Sequence, residues 1–319
     1  MNTYLVNRTT SQRWITCLPL ILSIATTSVM AASVPAQSPV DKINAEAARA
    51  NITVQPLRGN LAVLMGSGGN ITVLSSDDGK LMVDAGIALS RRGLEPALKG
   101  ISPNPVKYVI NTHWHWDHAD GNEWVHAASG ATIIAHGKSL EHLSRTMRID
   151  DWNHTFEPVP EAARPTMIVN SRKTLGFGDE SVLISSYAPS HTDGDLYVYF
   201  NKADVLATGD TWWNGVYPFI DYVGGGGIDG MIQVTNENIA HATDHTLIVP
   251  GHGPVGGRRQ LIEYRDMLVA IRKNVSDLKK QGKSLEEVIA AKPTADFDAK
   301  WGGSVIGPPL FTSLVYRGV

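Results

Sequence analysis

Asn111-Thr112-His113-Trp114-His115-Trp116-Asp117-His118 sets three histidines and an aspartate within six residues. The preceding Val-Lys-Tyr-Val-Ile, residues 106–110, reads as a short buried strand. A loop at a strand end can turn such side chains onto adjacent points. Imidazole nitrogen and carboxylate oxygen are good zinc ligands, and without a thiolate they also suit iron or manganese. The competing reading is a polar surface loop with chance histidines. One histidine would leave that reading open, but His-x-His-x-Asp-His after a strand speaks strongly for a metal site.

Four more carboxylate or imidazole positions lie beside apolar runs or Gly/Pro turns. They are Asp84 in Leu81-Met82-Val83-Asp84-Ala85-Gly86, His191 in Pro189-Ser190-His191-Thr192-Asp193-Gly194, Asp210 in Thr208-Gly209-Asp210, and His252 in Val249-Pro250-Gly251-His252-Gly253. Taken in order, the five elements resemble the metal-binding pattern of the metallo-β-lactamase superfamily, and the resemblance spans residues 84–252. It implies an α/β fold, a four-layer αββα sandwich of two mixed β-sheets flanked by helices. It also implies two metal ions, zinc foremost, with His113, His115 and His191 on the first, Asp117, His118 and His252 on the second, and Asp210 between them. Asp84 would orient ligands by hydrogen bonds, or else serve only as a helix or turn cap. The remaining histidines, at 126, 136, 142, 154, 241 and 245, fall outside the pattern and read as ordinary structural residues.

The activity implied is hydrolysis of an amide or ester by a hydroxide shared between the metals, so no Ser or Cys nucleophile is needed. Asp117 would orient that hydroxide and pass a proton to the leaving atom, a step worth about a hundred- to ten-thousand-fold in rate. β-Lactams lead as substrates, with lactones and glyoxalase-type thioesters as the alternative. Asp210 stands where the well-known β-lactamase subclasses often carry cysteine, which favours the alternative; export favours the β-lactam. A di-iron redox protein, a metal-binding module without catalysis, and a nuclease or phosphodiesterase, which the lack of a basic patch and the export signal disfavour, complete the set of readings. Trp213, Tyr217 and Tyr222, leading into the glycine run 224–227, are expected to form a mobile substrate flap, with core packing as the other possibility. Trp114 and Trp116 alternate with the ligands and are expected to point away from the metals.

Arg8 and Arg13 precede an apolar run, residues 14–30, and small residues follow at 31–33. Those are the parts of a secretory signal peptide, and a retained anchor is the alternative. The expected organisation is a signal over residues 1–32, a flexible lead-in over 33–51 and one domain over 52–319, acting in the periplasm or outside the cell. The only cysteine, Cys17, falls inside the signal, which leaves neither disulfide nor thiolate to the mature chain. A net charge of -3 without a basic run gives no reason to expect nucleic acid. The expected partner is a small-molecule substrate, with no membrane contact after signal cleavage. Oligomeric state is not legible.

Strand patterns at 52–57, 61–65, 71–75 and 80–83 are followed by a helix at 89–100, the strand before the motif, a helix at 121–129, a strand at 132–135 and a helix at 138–148. Residues 151–165, rich in Pro and Glu, read as a surface loop. Strands at 166–169, 181–187, 196–200 and 205–207 open a second half, which continues with helices at 228–242 and 258–280 around a strand at 246–249. Two βα halves packed sheet against sheet account for this order. The tail, 301–319, packs over the core or meets a partner.

Overall fold

In a computed structural model that describes residues 38–319 and the isolated positions 1, 5, 7 and 9, two mixed sheets carry the chain. The expected signal peptide lies outside the described residues. The first half runs α1 (Pro39–Ala47), β1 (Thr53–Pro56), β2 (Leu61–Met65), β3 (Ile71–Ser76), β4 (Gly79–Val83), α2 (Arg91–Ile101), β5 (Val106–Ile110), α3 (Trp116–Ala119), α4 (Asn122–Ser129), β6 (Thr132–Ala135), α5 (Gly137–Leu143), β7 (Met147–Ile149), β8 (His154–Phe156) and β9 (Met167–Ile168). The second runs β10 (Arg172–Phe177), β11 (Glu180–Ser186), β12 (Leu196–Phe200), β13 (Val205–Ala207), α6 (Ile228–His241), β14 (Leu247–Val249), α7 (Arg258–Lys280), α8 (Leu285–Ala290), α9 (Ala295–Trp301) and α10 (Pro308–Arg317).

The first sheet has the order β1-β2-β3-β4-β5-β6-β9, antiparallel as far as β4 and parallel beyond it. The second has the order β10-β11-β12-β13-β14, antiparallel except for the parallel pair β13–β14. Period-two patterning decides which side chains meet. Leu61, Val63, Leu81 and Val83 of one sheet pack on Val182, Ile184, Val198 and Phe200 of the other. The opposite face of the first sheet, through Leu64, Val73, Met82 and Val109, is covered by Leu94 and Leu98 of α2 and Val125 of α4. Leu206 and Ile248 of the second sheet lie under Met231 of α6 and Leu261, Leu268 and Ile271 of α7. Four layers result, helix, sheet, sheet and helix, as the resemblance implied.

Four local expectations need correction. The flexible lead-in, 33–51, contains α1, so the ordered body starts at residue 38 rather than 52. The Ser38 hydroxyl accepts the Asp41 amide at 3.1 Å and the Asp41 carboxylate accepts the Ser38 amide at 3.3 Å, a reciprocal cap, and Val40 and Ala47 are buried. Nine residues are too few for apolar periodicity to show. The 151–165 loop holds part of a hairpin, β7 with β8, and the helix expected to 148 stops at Leu143. β10 was missed because it is a sheet edge whose outer positions are charged or polar, the composition that keeps edges from pairing with other chains. The tail packs on the core through Phe311, Leu314 and Val315 of α10. Among the described residues no helix is long and apolar enough to cross a membrane.

Candidate metal centre

Strand ends from both sheets converge on one edge. Asp84 follows β4, the His113–His118 stretch follows β5, His191 follows β11, Asp210 follows β13 and His252 follows β14. The pairs β4–β5 and β13–β14 are parallel, so their C-terminal ends share a rim where side chains escape the apolar interior. His115 caps α3, which places Asp117 and His118 on its first turn. Asp84 has φ +67°, a left-handed conformation that Asp tolerates better than most residues and that turns its carboxylate back toward Thr112.

Seven side chains meet there in two sets. His113, His115, His191 and Asp210 form one and Asp117, His118 and His252 the other, each set offering ligand atoms within 4.8 Å of one another. Asp210 reaches both: Oδ2 lies 3.8 Å from His113 Nε2, 3.5 Å from His191 Nε2 and 3.3 Å from His252 Nε2, while Oδ1 lies 3.0 Å from His118 Nε2. Asp117 Oδ2 is 3.2 Å from His252 Nε2 and 3.8 Å from His118 Nε2. All seven residues lie in the interior, His252 somewhat less deeply than the rest.

Outward hydrogen bonds decide which imidazole nitrogens face inward with a free lone pair. His115 Nε2 is 3.0 Å from Asp221 Oδ2, and a carboxylate can only accept, so the ring proton sits there. His191 Nδ1 likewise donates to the Phe219 carbonyl at 2.9 Å. The remaining nitrogens, His115 Nδ1 and His191 Nε2, then face each other at 2.9 Å as two lone pairs. Such an arrangement is repulsive unless a cation lies close to both. The Thr112 hydroxyl donates to Asp84 Oδ2 at 2.9 Å and therefore accepts from His113 Nδ1 at 3.0 Å. This leaves His113 Nε2 pointing inward, buried and without a hydrogen-bond partner, like Asp210 Oδ1. His118 Nδ1 donates to Asp84 Oδ2 at 2.8 Å, which frees its Nε2. Orphaned buried nitrogens and carboxylate oxygens converging on two points are a donor set suited to divalent cations.

Electrostatics agree. Burial pushes the His113 imidazole well below its ordinary range, helped by the neighbouring His118, and burial takes His191 down to about 4, so both favour the neutral form that binds metal. Burial opposes charge on His118 and His252 as well, but the Asp210 and Asp117 carboxylates, joined at His118 by Asp84, together outweigh it and hold His118 well above its usual value and His252 up to about 9. Burial would raise the Asp210 carboxyl, yet His252, His118 and His113 prevail and keep it well below the usual carboxylate range. Positive charge is stabilised in the second set whether a proton or a metal carries it.

Two supporting carboxylates escaped the sequence reading. Besides holding His115, Asp221 accepts the Gly224 amide at 2.8 Å. Asp195 accepts from the Ser190 hydroxyl at 2.6 Å, the His191 amide at 2.8 Å and the Thr192 amide at 2.9 Å, which fixes the loop that carries His191. The Asp195 signal was its place in Ser-His-Thr-Asp-Gly-Asp, residues 190–195, where local side-chain-to-backbone bonds are common. Asp221 had only a glycine run after it as a signal.

A cavity of about 230 Å³ opens over His115, Asp117, Asp210 and His252, walled by Trp116, Trp152, Trp213, Phe219, Ile43, Glu46 and Val305. Trp213 therefore lines it, with its ring 4.0 Å from that of His252. Tyr217 and Tyr222 do not. Tyr217 is fully buried, stacks on Phe311 at 4.6 Å and donates to Asp298 at 2.9 Å, which makes it a core residue. Tyr222 is half-buried and turns toward Gly318 at the end of α10. Trp116, expected to point away, forms a cavity wall because it begins α3 rather than continuing a strand-like alternation. The glycine run is not a free flap: the Gly226 amide donates to the Asp221 carbonyl at 2.7 Å and the Gly227 amide to the Ser190 carbonyl at 2.7 Å. A Cβ on Gly226 would lie 2.2 Å from the His191 carbonyl oxygen, so these glycines permit a close approach.

Comparison with known proteins agrees with the fold. The family model for the metallo-β-lactamase superfamily matches residues 64–261. A probable metallo-hydrolase of Bacillus subtilis (strain 168) is 24% identical over 186 residues, 58% of this chain and 85% of that protein. A hydroxyacylglutathione hydrolase of Polaromonas sp. is 27% identical over 148 residues, 46% of this chain and 48% of that protein. Among solved structures, the stereoselective inverting sec-alkylsulfatase of Pseudomonas sp. superposes with TM-score 0.65 at 15% identity, covering 87% of this chain and 52% of the sulfatase. A metallo-β-lactamase from Pontibacter korlensis gives TM-score 0.56 at 16% identity over 68% of this chain and 99% of that one. The matches thus span about half the length of both the hydroxyacylglutathione hydrolase and the sulfatase. With well over half of its length matched by the family model and two His/Asp sets at the expected rim, this chain belongs to the metallo-β-lactamase superfamily and is a metallo-hydrolase of that fold.

Proposed function

We propose that the protein is an exported dinuclear zinc hydrolase that opens an amide or ester bond in a small molecule, with β-lactams, lactones and thioesters as the classes to test. One observation carries the dinuclear reading: the inward nitrogens of His113, His115, His191 and His118 are left as lone pairs by their outward hydrogen bonds, in two sets joined by Asp210. His113, His115 and His191 would hold one ion, Asp117, His118 and His252 the other, and Asp210 would touch both. Zinc is the natural occupant of a His and carboxylate set, and iron or manganese would fit the same donors. When bound, such a pair supplies Lewis acidity at two adjacent points, lowering the pKa of water and polarising a scissile carbonyl.

The chain's own residues divide the remaining work. Asp117 lines the cavity floor, and His118 and His252 outweigh its burial to keep its carboxylate ionised. It accepts the proton of the attacking water and returns it to the leaving atom. Asp84, Asp221 and Asp195 keep the imidazoles in the right tautomer and place. Trp116, Trp152, Trp213 and Phe219 exclude bulk water and receive the apolar part of the substrate. Export rests on the basic, apolar and small-residue order of the first 32 residues.

The test is to purify the protein, quantify its metals, and assay a chromogenic cephalosporin, a lactone panel and a thioester, with His115→Ala as control. About two zinc ions per chain and turnover abolished by a chelator and by His115→Ala are expected. A metal-free protein, or activity that survives the substitution, overturns the reading. N-terminal sequencing of protein recovered outside the cytoplasm should find a start near residue 33.

A further inference from the structure

We propose that the cavity selects substrates bearing an ammonium group, which it recognises with an aromatic cage and Glu46; the inference rests on the hydrolase reading for the bond that is cleaved. Three indoles and a phenyl ring, Trp116, Trp152, Trp213 and Phe219, line a single cavity beside the candidate metal centre. Trp116 meets Trp152 edge-to-face at 5.9 Å, and Trp152 meets Phe219 at 5.1 Å and 57°, so these rings form an angled wall rather than a flat stack. The indole face is the best neutral partner for a cation, and quaternary ammonium groups in particular are bound by such angled aromatic walls.

Charge points the same way. Apart from the candidate ligands, Glu46 is the one charged side chain among the described residues lining this cavity, and it is exposed to solvent there. Lys42, one helical turn earlier on α1, does not line this cavity but a neighbouring groove with Gly303 and Ser304, which Glu46 also borders. No described lysine or arginine lines the cavity to receive a substrate carboxylate. The cavity is therefore apolar and aromatic with a carboxylate at its mouth, a good receptor for an organic cation.

The test pairs binding with turnover. Tryptophan fluorescence of the purified protein, with and without its metals, measures the affinity of phenyltrimethylammonium against benzenesulfonate. Hydrolysis of acetylthiocholine is compared with that of its uncharged isostere, 3,3-dimethylbutyl thioacetate. We expect phenyltrimethylammonium to bind at least about tenfold tighter than benzenesulfonate in both metal states, and kcat/KM to favour the cationic thioester about tenfold through KM. Glu46→Gln should reduce both preferences about fivefold, and Glu46→Lys should reverse the binding order. Glu46 is exposed, so neither change endangers the fold. Equal affinities, or preferences that Glu46→Gln leaves unmoved, overturn the inference. If neither thioester nor any other ester is turned over by metal-loaded protein, the hydrolase reading fails, and the phenyltrimethylammonium affinity and its response to Glu46→Gln still decide the question of recognition.

Discussion

Replacing Asp221 with Asn keeps the shape of a buried side chain and removes one of its two accepting oxygens. In the native chain Oδ2 takes the His115 Nε2 proton at 3.0 Å and Oδ1 takes the Gly224 amide at 2.8 Å. An asparagine amide can satisfy only one of these. If its oxygen stays with Gly224, the NH2 group faces His115 Nε2, and the ring must move its proton to Nδ1. Nδ1 is the nitrogen that lies 2.9 Å from His191 Nε2, so a proton there occupies the place of the metal bond. If the oxygen turns to His115, a buried amide proton of Gly224 loses its acceptor instead. The second outcome costs about 1–3 kcal/mol, the penalty for a buried donor without a partner, and that is the cost of avoiding the first. That matches the roughly 10- to 100-fold loss of metal affinity typical of such partners. Asp117, His118 and His252 do not use Asp221, so the loss should fall on one ion. Titration against a chromogenic chelator should show one ion held near wild-type affinity and one weakened about 10- to 100-fold, with circular dichroism unchanged. Two ions lost together, or two retained within about twofold of wild type, would refute the tautomer argument.

Gly251→Ala should abolish binding of at least one metal and destabilise the fold by about 1–3 kcal/mol, read from metal content and denaturant midpoint, because its Cβ would lie 1.9 Å from Asp210 Oδ1. Ser38→Ala removes the hydroxyl that caps α1 and should cost about 1 kcal/mol in urea unfolding; since Ile43 and Glu46 of α1 wall the cavity, KM should rise while metal content holds. Tyr217→Phe should lower stability by about 0.5–1.5 kcal/mol through loss of the Asp298 hydrogen bond and leave KM unchanged. A raised KM in that variant would return Tyr217 to the substrate site.

The residues that meet in the two sets were legible because chemistry is written locally. Histidines and aspartates directly after apolar strands are rare enough to stand out, and the strands themselves follow period two. What supports those residues was hidden. Asp221 acts on His115 from 106 positions away, and nothing local marks an aspartate that accepts one ring proton and one amide. The glycine run after it reads as slack chain, yet its glycines serve close approach to the His191 loop. The aromatic segment 213–222 failed for a related reason. One of its expected pocket residues, Trp213, lies against His252, while Tyr217 sinks into the core, and only the tertiary course of α9 and α10 decides between them. α1 escaped because a nine-residue helix gets its order from a capping box and two buried side chains rather than from a long apolar face.

The division between chemistry and selection follows the chain. The stretch matched by the family model, 64–261, contains all seven residues of the two sets together with Asp84 and Asp221. It also supplies Trp116, Trp152, Trp213 and Phe219, but Ile43, Glu46 and Val305, which complete the cavity, lie outside it. A centre built from strand ends can remain unchanged while segments on either side reshape what reaches it, because the sheets carry its geometry and α1 and the 302–307 turn carry only the walls. A relative can therefore share the fold and the donor set and still act on a different molecule. The identities of relatives then bear on the fold and on metallo-hydrolase chemistry, whereas the substrate has to be read from α1, the four aromatic rings and the one carboxylate at the mouth.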